Sequence, residues 1–267
     1  MRIVSLACSN TEIVCALGCA DLLVGVDDHS DHPPDVVARL PRVGPDLDID
    51  VERVAALRPD LVLATLTVPG HEAVVERLEA AGLPYVAPEP TSLADVYRDI
   101  DTIAGLLGVP ERGRALVAEM RSRFDAARRR SRGRAQPSVL VQWWPKPVIA
   151  PGARSWVNDV LEAVGGRNPF ATDEVKSRPI PDDEVVAADP DAIVISWCGV
   201  DPAKYRPDVV LEKPAFGPMR AVRGRQVHCV PEAFLGRPGP RLVDGLDALE
   251  RIVEGLGLEG ESAGVEA

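Results

Sequence analysis

The sequence predicts an α/β protein of two lobes, each a parallel sheet flanked by helices, bridged by one long helix. Three observations carry this. The segment ERVAALRPDLVLAT from Glu52 to Thr65 is echoed by DEVVAADPDAIVIS from Asp183 to Ser196. The segments around each copy correspond in the same order. Between the copies lies a long stretch with helical spacing and no strand signal.

Each copy reads as helix, Pro-Asp turn and buried strand. The proline ends the helix because the residue before it is pushed out of the α region. The apolar, β-branched run that follows suits a strand covered on both faces. Upstream, a strand at Ile3 to Leu6 and a helix at Thr11 to Leu17 correspond to a strand at Val139 to Gln142 and a helix at Val157 to Val164. Gly18 and the pair Gly165-Gly166 stand where a left-handed residue stops each helix. Downstream, LPYVAPE at Leu83 to Glu89 corresponds to QVHCVPE at Gln226 to Glu232, which completes two β-α-β-α-β plans. Strands alternating with helices through short loops argue parallel sheets.

Between the copies, Val96, Ile100, Ile103 and Leu107 keep a helical period from Ser92 to Gly108. Pro110 is placed to open the next helix at its first turn. That helix runs to about Arg132, roughly 33 Å, with Leu116, Met120 and Phe124 on one face. The expected organisation is an N-terminal lobe at 1–91, a helical linker with the long backbone helix at 92–136, a C-terminal lobe at 137–256 and a flexible tail at 257–267.

Composition narrows the function. The 267 residues hold 30 Lys and Arg against 41 Asp and Glu, a formal charge of −11. A phosphate backbone calls for a basic surface, so nucleic acid is not an expected partner. The stretch from Arg128 to Arg134 is read instead as cations complementing the dipole of a helix C-terminus. No window approaches the roughly eighteen uninterrupted apolar residues of a membrane span, so insertion is not expected. No secretory signal pattern opens the sequence, so as written the chain reads as cytoplasmic, and as periplasmic or extracytoplasmic if its true start lies upstream. Five cysteines, Cys8, Cys15, Cys19, Cys198 and Cys229, fit no C-x-x-C spacing and are read as reduced thiols.

Ligands of open parallel sheets bind outside the carboxyl ends of the strands, so the strand-exit loops hold the candidates. In the first half these are Ala7 to Asn10, Asp27 to Pro33, Thr65 to His71 and Pro88 to Pro90. The second half contributes Trp143 to Pro145, Trp197 to Gly199 and Glu232 to Pro238. Aromatic residues are 4% of the chain, yet three of the four tryptophans fall in these loops. That collection points to a cleft for a large flat or apolar ligand. Adjacent Trp143 and Trp144 face opposite ways on an extended segment, so only one of them is expected to line it.

Other chemistries are weaker. His29 and His32 with Asp27, Asp28 and Asp31 have the donor types of a zinc or iron site, but one loop supplies them all, and the reading taken is a solvated loop with no dedicated metal site. His29 could still contact a ligand that carries its own metal, or serve it as an axial donor. Cys8, just ahead of a helix, could be an activated thiol. Against that, Ser9 and Glu12 have the spacing of a capping box, and no motif ties a histidine base to Cys8. An enzyme is therefore not expected.

Three stretches together resemble a known family: RIVSLACSNTEIVCALGCADLLVGVDDHSDHP at the start, VERVAALRPDLVLA at Val51 to Ala64, and AVRGRQVHCVPEAFLGRPGPRLVDGL near the end. The chain resembles the cobalamin-binding branch of the helical-backbone substrate-binding proteins that serve ABC transporters. The resemblance implies two lobes joined by a long helix with a ligand held between them. It also implies corrinoid contacts around Asp28 and His29 and near Leu66 and Trp143. Leu66 stands where secreted vitamin-binding members carry tryptophan. Glu52 occupies the position of one of two permease-docking glutamates, whereas Leu235 and Gly236 fall where the second is expected.

The expected function is non-enzymatic binding of cobalamin or another corrinoid, without a prosthetic group, by a monomer with an ABC permease as possible partner. The residues expected at the ligand are Cys8, Ser9, Asn10, Asp28, His29, Leu66, Trp143, Trp144, Trp197, Cys198, Phe234 and Arg237. A ferric siderophore or haem on the same fold is the nearest rival, and a corrinoid-handling protein uncoupled from transport is another. Anionic siderophores would want a basic cleft, whereas these loops hold Asp27, Asp28, Asp31, Glu89 and Glu232 against Arg237.

Overall fold

A computed structural model describes residues 1–262. The chain divides into two compact units, Met1–Pro90 with Ala94–Glu119, and Thr91–Leu93 with everything from Met120 onward. The first contains β1 (Ile3–Ser5), α1 (Cys8–Ala16), β2 (Leu23–Val26), α2 (Pro34–Val37), α3 (Val51–Ala56), β3 (Leu61–Leu63), α4 (His71–Ala80) and β4 (Tyr85–Val86). Its helix α5 (Leu93–Leu106) is followed by α6 (Pro110–Ser131). The boundary between the units falls inside α6, between Glu119 and Met120, where the sequence reading set aside 92–136 as a linker.

The second unit holds β5 (Val139–Gln142), β6 (Trp144–Pro145), β7 (Val148–Pro151), α7 (Val157–Ala163), β8 (Ser177–Ile180), α8 (Asp182–Ala188) and β9 (Ala192–Ile195). Then come α9 (Asp208–Leu211), α10 (Arg220–Arg223), β10 (Val227–Cys229), α11 (Glu232–Leu235) and α12 (Leu242–Ser262). Helix α12 continues to Ser262 where a tail from Gly257 was expected; residues 263–267 lie outside the described residues.

Both units are α/β with helices flanking parallel sheets. In the first the order is β2-β1-β3-β4, all parallel. The chain passes from β1 outward to β2 and then back to β3 on the other side. That reversal makes the carboxyl ends of β1 and β3 a topological switch point, where open sheets receive ligands. In the second unit β10-β9-β5 is parallel, and β6-β7-β8 forms a small antiparallel sheet, of which the sequence reading placed Trp143 to Pro145 in a loop and assigned nothing to β7 and β8.

The repeated Pro-Asp turn is real and has a shared detail. The residues before the two prolines, Arg58 at φ 47° and Asp189 at φ 37°, are both left-handed. Proline does exclude them from the α region, and they close the helix as glycine closes α1 at Gly18, φ 67°. The capping box at Ser9 and Glu12 does not form. Helix α1 starts at Cys8 behind Ala7, which offers no side-chain cap, and Ser9 and Glu12 are buried inside the helix.

The arginine-rich end of α6 has a structural use. Arg123, Arg130 and Arg134 meet Asp247, Glu250 and Glu254 of α12 at 2.7, 2.7 and 3.0 Å. Cationic and anionic helix faces are thereby paired: within the basic stretch Arg130 and Arg134 meet α12, and Arg128 meets Asp125 on its own helix.

On α5, burial, with Asp95 beside it, pushes the Asp99 carboxyl up to about 6. A raised folded-state pKa means the fold holds this proton more tightly than the unfolded chain, so its contribution is complete below about pH 4 and is lost as pH rises through about 6. Asp99→Asn should remove that slope and add about 1–2 kcal/mol at pH 8, after discounting for partial exposure. Urea unfolding of both proteins at pH 5 and pH 8 measures it; parallel curves with equal midpoint shifts at both pH values would contradict it.

Candidate functional site

In the first unit the carboxyl edge of the sheet is organised around Asp27, fully buried at the end of β2. Its carboxylate accepts from Ser30 Oγ at 2.5 Å and from the His29 backbone N–H at 2.9 Å. Cys8 Sγ lies 4.0 Å from the same group. Burial pushes the Asp27 carboxyl pKa up, while the bonds from Ser30 and His29 pull it down. Arg42 Nη1 donates to the carbonyls of Asp27 and Ser30 at 2.8 and 2.6 Å, which closes the turn from outside. Thr11 ties this turn to β1 through Ser5 Oγ and Ser30 Oγ, both at 2.8 Å.

Asn10 spans the switch point, donating Nδ2–H to Ala64 O at 2.7 Å. Asn10 and Ser9 are thus buried, with Asn10 holding β1 and β3 in register at their exits. Cys8 is half-buried and Leu66 also, its N–H donating to Pro88 O at 2.9 Å. Asp28 is exposed, and its Oδ1 accepts from Gly44 N at 3.3 Å. Glu52 is exposed in the first turn of α3.

Sequence reasoning did not single out Asp46. Its two oxygens lie 3.6 Å from His29 Nε2 and 3.6 Å from His71 Nε2, one oxygen to each ring. His71 is buried, and its Nδ1 accepts the Val68 N–H at 3.1 Å. With Nδ1 used as an acceptor, the neutral ring carries its proton on Nε2, the nitrogen 3.6 Å from Asp46, a contact longer than a direct hydrogen bond. This N–H holds the Asp46 carboxyl below its ordinary value, with burial opposing and His29 assisting. The arrangement joins three loops at one edge. No local pattern marks an aspartate in a Gly-Pro-Asp-Leu turn as the meeting point of two histidines.

In the second unit the exits of β5 and β9 are interlocked. Trp143 N–H donates to Ile149 O at 2.8 Å and Trp143 O accepts from Cys198 N at 3.1 Å. Trp143 is buried at 9% exposure while Trp144 is 41% exposed, the alternation an extended segment requires. Trp197 is part of the unit's core at 6% exposure. Its Nε1–H donates to Gln142 Oε1 at 2.9 Å, and the Tyr205 ring lies tilted at 5.6 Å. Tyr205 OH donates to Trp197 O and accepts from Glu232 N, each at 3.1 Å. Trp156 is likewise buried and donates to Leu235 O at 2.7 Å. Loop position therefore did not mean exposure: the segment after Trp197 folds back and seals it, leaving Trp144 as the exposed indole.

Cys198 is exposed beyond β9. Phe234 is half-buried with the Arg241 guanidinium 4.8 Å over its ring. Arg237 donates from Nε to Glu232 Oε2 at 3.1 Å, so its charge is matched locally. Among the described residues no helix is long and apolar enough to cross a membrane.

What these edges offer is a set of hydrogen-bonding, carboxylate-rich loops on one unit and an exposed indole with a neutralised guanidinium on the other.

Comparison with known proteins agrees with this reading of the fold. Residues 3–233 match the family model described as periplasmic binding protein. The uncharacterized ABC transporter substrate-binding lipoprotein YvrC of Bacillus subtilis (strain 168) is 30% identical over 254 residues, 93% of this chain and 78% of that protein. The periplasmic vitamin B12 binding protein BtuF of Vibrio cholerae superposes with a TM-score of 0.79 at 26% identity, covering 96% of this chain and 97% of that one. The periplasmic heme-binding protein RhuT from Roseiflexus sp. RS-1, in apo form, gives 0.82 at 29% identity over 96% and 98%. Strand order, switch point and family match converge, and the chain belongs to the periplasmic binding protein family.

Proposed function

We propose that this protein is a non-enzymatic substrate-binding protein for a metal-bearing macrocycle, with a corrinoid, cobalamin first among them, as its ligand. The observation that carries the choice is the charge at the strand exits. Asp28, Asp46 and Glu89 belong to these loops, while Arg42 is turned to the carbonyls of Asp27 and Ser30 and Arg237 is matched by Glu232. Such edges suit a neutral or cationic corrinoid. They disfavour anionic ferric siderophores and the two propionates of haem. The likeness to BtuF, named for vitamin B12, supports the same reading. The likeness to RhuT is what favours haem as the second reading.

On the first unit His29 offers a polar contact or an axial donor, with Asp28 and Leu66 near it in the strand-exit loops; on the second unit Trp144 offers apolar contact, with Phe234 and Arg237 as further contacts. Cys8 and Cys198 lie beside them. Ser9, Asn10, Trp143 and Trp197 contribute by fixing the loops rather than by touching the ligand. Affinity comes from burial on preformed loops, with no prosthetic group and no bond made or broken.

The name of the YvrC relative, an ABC transporter substrate-binding lipoprotein, supports delivery of the ligand to an ABC permease. Glu52 then serves as a docking contact on the first unit.

Absorbance and calorimetric titration with cyanocobalamin, haemin and a ferric siderophore tests the proposal. Expected is saturable binding of cyanocobalamin at least tenfold tighter than haemin. Saturation by haemin alone would replace the corrinoid with haem, and no response to any of the three at tens of micromolar would overturn both readings.

A further inference from the structure

The second unit carries an opening that is lined by none of the residues assigned to the macrocycle. A groove of about 570 Å³ is lined by Arg225, Gln226, His228, Cys229 and Val230 on one side and by Ala248, Arg251, Ile252 and Gly255 on the other. That volume is within the range of small-molecule sites. Strand β10 forms the first wall. It is the terminal strand of its sheet, so its outer edge faces the groove without a neighbouring strand among the described residues. The second wall is one face of α12, residues three, four and seven apart.

The lining has a sign. In a chain of net charge −11, none of these residues is acidic. Three carboxylates of α12, Asp247, Glu250 and Glu254, face the arginines of α6. Arg251 is therefore left with the groove, and among the described residues neither it nor Arg225 pairs with a carboxylate. Arg225 sits at φ 55°, a left-handed conformation that a non-glycine residue adopts at a cost. It follows the C-cap of α10, Gly224, and is an exposed residue of the groove lining. On the same wall Gln226 and His228 are hydrogen-bonded to each other at 2.9 Å. Val230, Ala248 and Ile252 provide an apolar floor, and a Cβ placed on Gly255 would meet nothing within 4 Å.

We propose that this groove binds a small organic anion, one phosphate or carboxylate head held by Arg225 and Arg251 and an apolar body resting on Val230, Ala248 and Ile252. Paired guanidinium groups match the geometry of both head groups. The floor accounts for an organic anion in preference to an inorganic one. The site is independent of the macrocycle reading, and failure of either leaves the other standing.

Amide chemical-shift titration of the ¹⁵N-labelled full chain with phenyl phosphate, benzoate and inorganic phosphate tests it. Expected are saturable shifts confined to residues 225–230 and 248–255. Phenyl phosphate should bind severalfold tighter than inorganic phosphate, and whichever of phenyl phosphate and benzoate binds better identifies the head group. The double variant R225Q/R251Q should weaken binding by about tenfold or more, one unit in log Kd. Both side chains are exposed, so the fold is retained. Gly255→Leu, which puts a side chain into the open space, should block phenyl phosphate without unfolding α12. No saturable shift at these amides at about 10 mM probe, or a double variant that binds as well as the parent, would overturn the site. Equal affinity for phenyl phosphate and inorganic phosphate would overturn the organic class.

Discussion

Trp197→Ala lowers the unfolding free energy by about 3–5 kcal/mol, the cost of emptying a large aromatic site in a packed core. Trp197 is buried among Leu140, Val148, Ile195 and Phe216. Its removal also leaves Gln142 Oε1 without its donor and withdraws the ring against which Tyr205 is tilted. Because Tyr205 OH is the acceptor for Glu232 N, the loss propagates to α11. Trp144→Ala is the control. Trp144 is 41% exposed, so its loss costs at most about 1 kcal/mol of stability. On the proposed function it weakens corrinoid binding tenfold or more, as loss of a central aromatic anchor does. Urea unfolding separates the two variants. Equal, small destabilisation by both would remove Trp197 from the core and return it to the ligand.

Gly245→Ala is the second large effect, about 2–4 kcal/mol of destabilisation. A Cβ at Gly245 would stand 2.2 Å from the Phe234 carbonyl oxygen and 2.8 Å from Leu235 Cδ2. The obstacle is backbone, so no rotamer change relieves it. Helix α12 must move off α11, which carries Phe234 and leads to Arg237. The same substitution at Gly255, where nothing lies within 4 Å, should stabilise by roughly 0.5–1 kcal/mol through helix propensity. Thermal unfolding of the two variants gives opposite signs if the helix contact is as described. A stable Gly245→Ala would contradict it.

The repeat was legible because its signals are local: Pro59 and Pro190 stop helices, and VLA or IVI runs follow. The left-handed state of Arg58 and Asp189 was not: aspartate tolerates it but arginine has no preference for it, and the following proline excludes the right-handed α region without choosing between extended and left-handed backbone. The capping pattern at Ser9 and Glu12 misled because spacing alone cannot tell a cap from a buried first turn. Asn10 and Thr11 reach across to Ala64 and Ser5 instead. Trp144, Pro145 and Pro147 hid the antiparallel sheet, whose partner strand at Ser177–Ile180 is distant in sequence.

The site was legible as a set of loops and not as a set of exposures. Sheet topology alone places Cys8, Asp28, His29 and Leu66 at the carboxyl edge of the first unit. Whether a loop residue faces solvent depends on what folds over it. Trp197 is covered by Tyr205, eight residues further on in a segment with no strong periodicity. Asp46 draws its role from His29 and His71, which approach it from two different strand exits.

Hydrogen–deuterium exchange of the full chain with and without saturating cyanocobalamin tests the central claim that the strand-exit loops hold the ligand. The account predicts slowed exchange in 27–32 and 65–71 of the first unit and in 143–147 and 232–238 of the second. The helices α3 and α12 should be unchanged. Protection confined to one unit, or lying away from the strand exits, would contradict it.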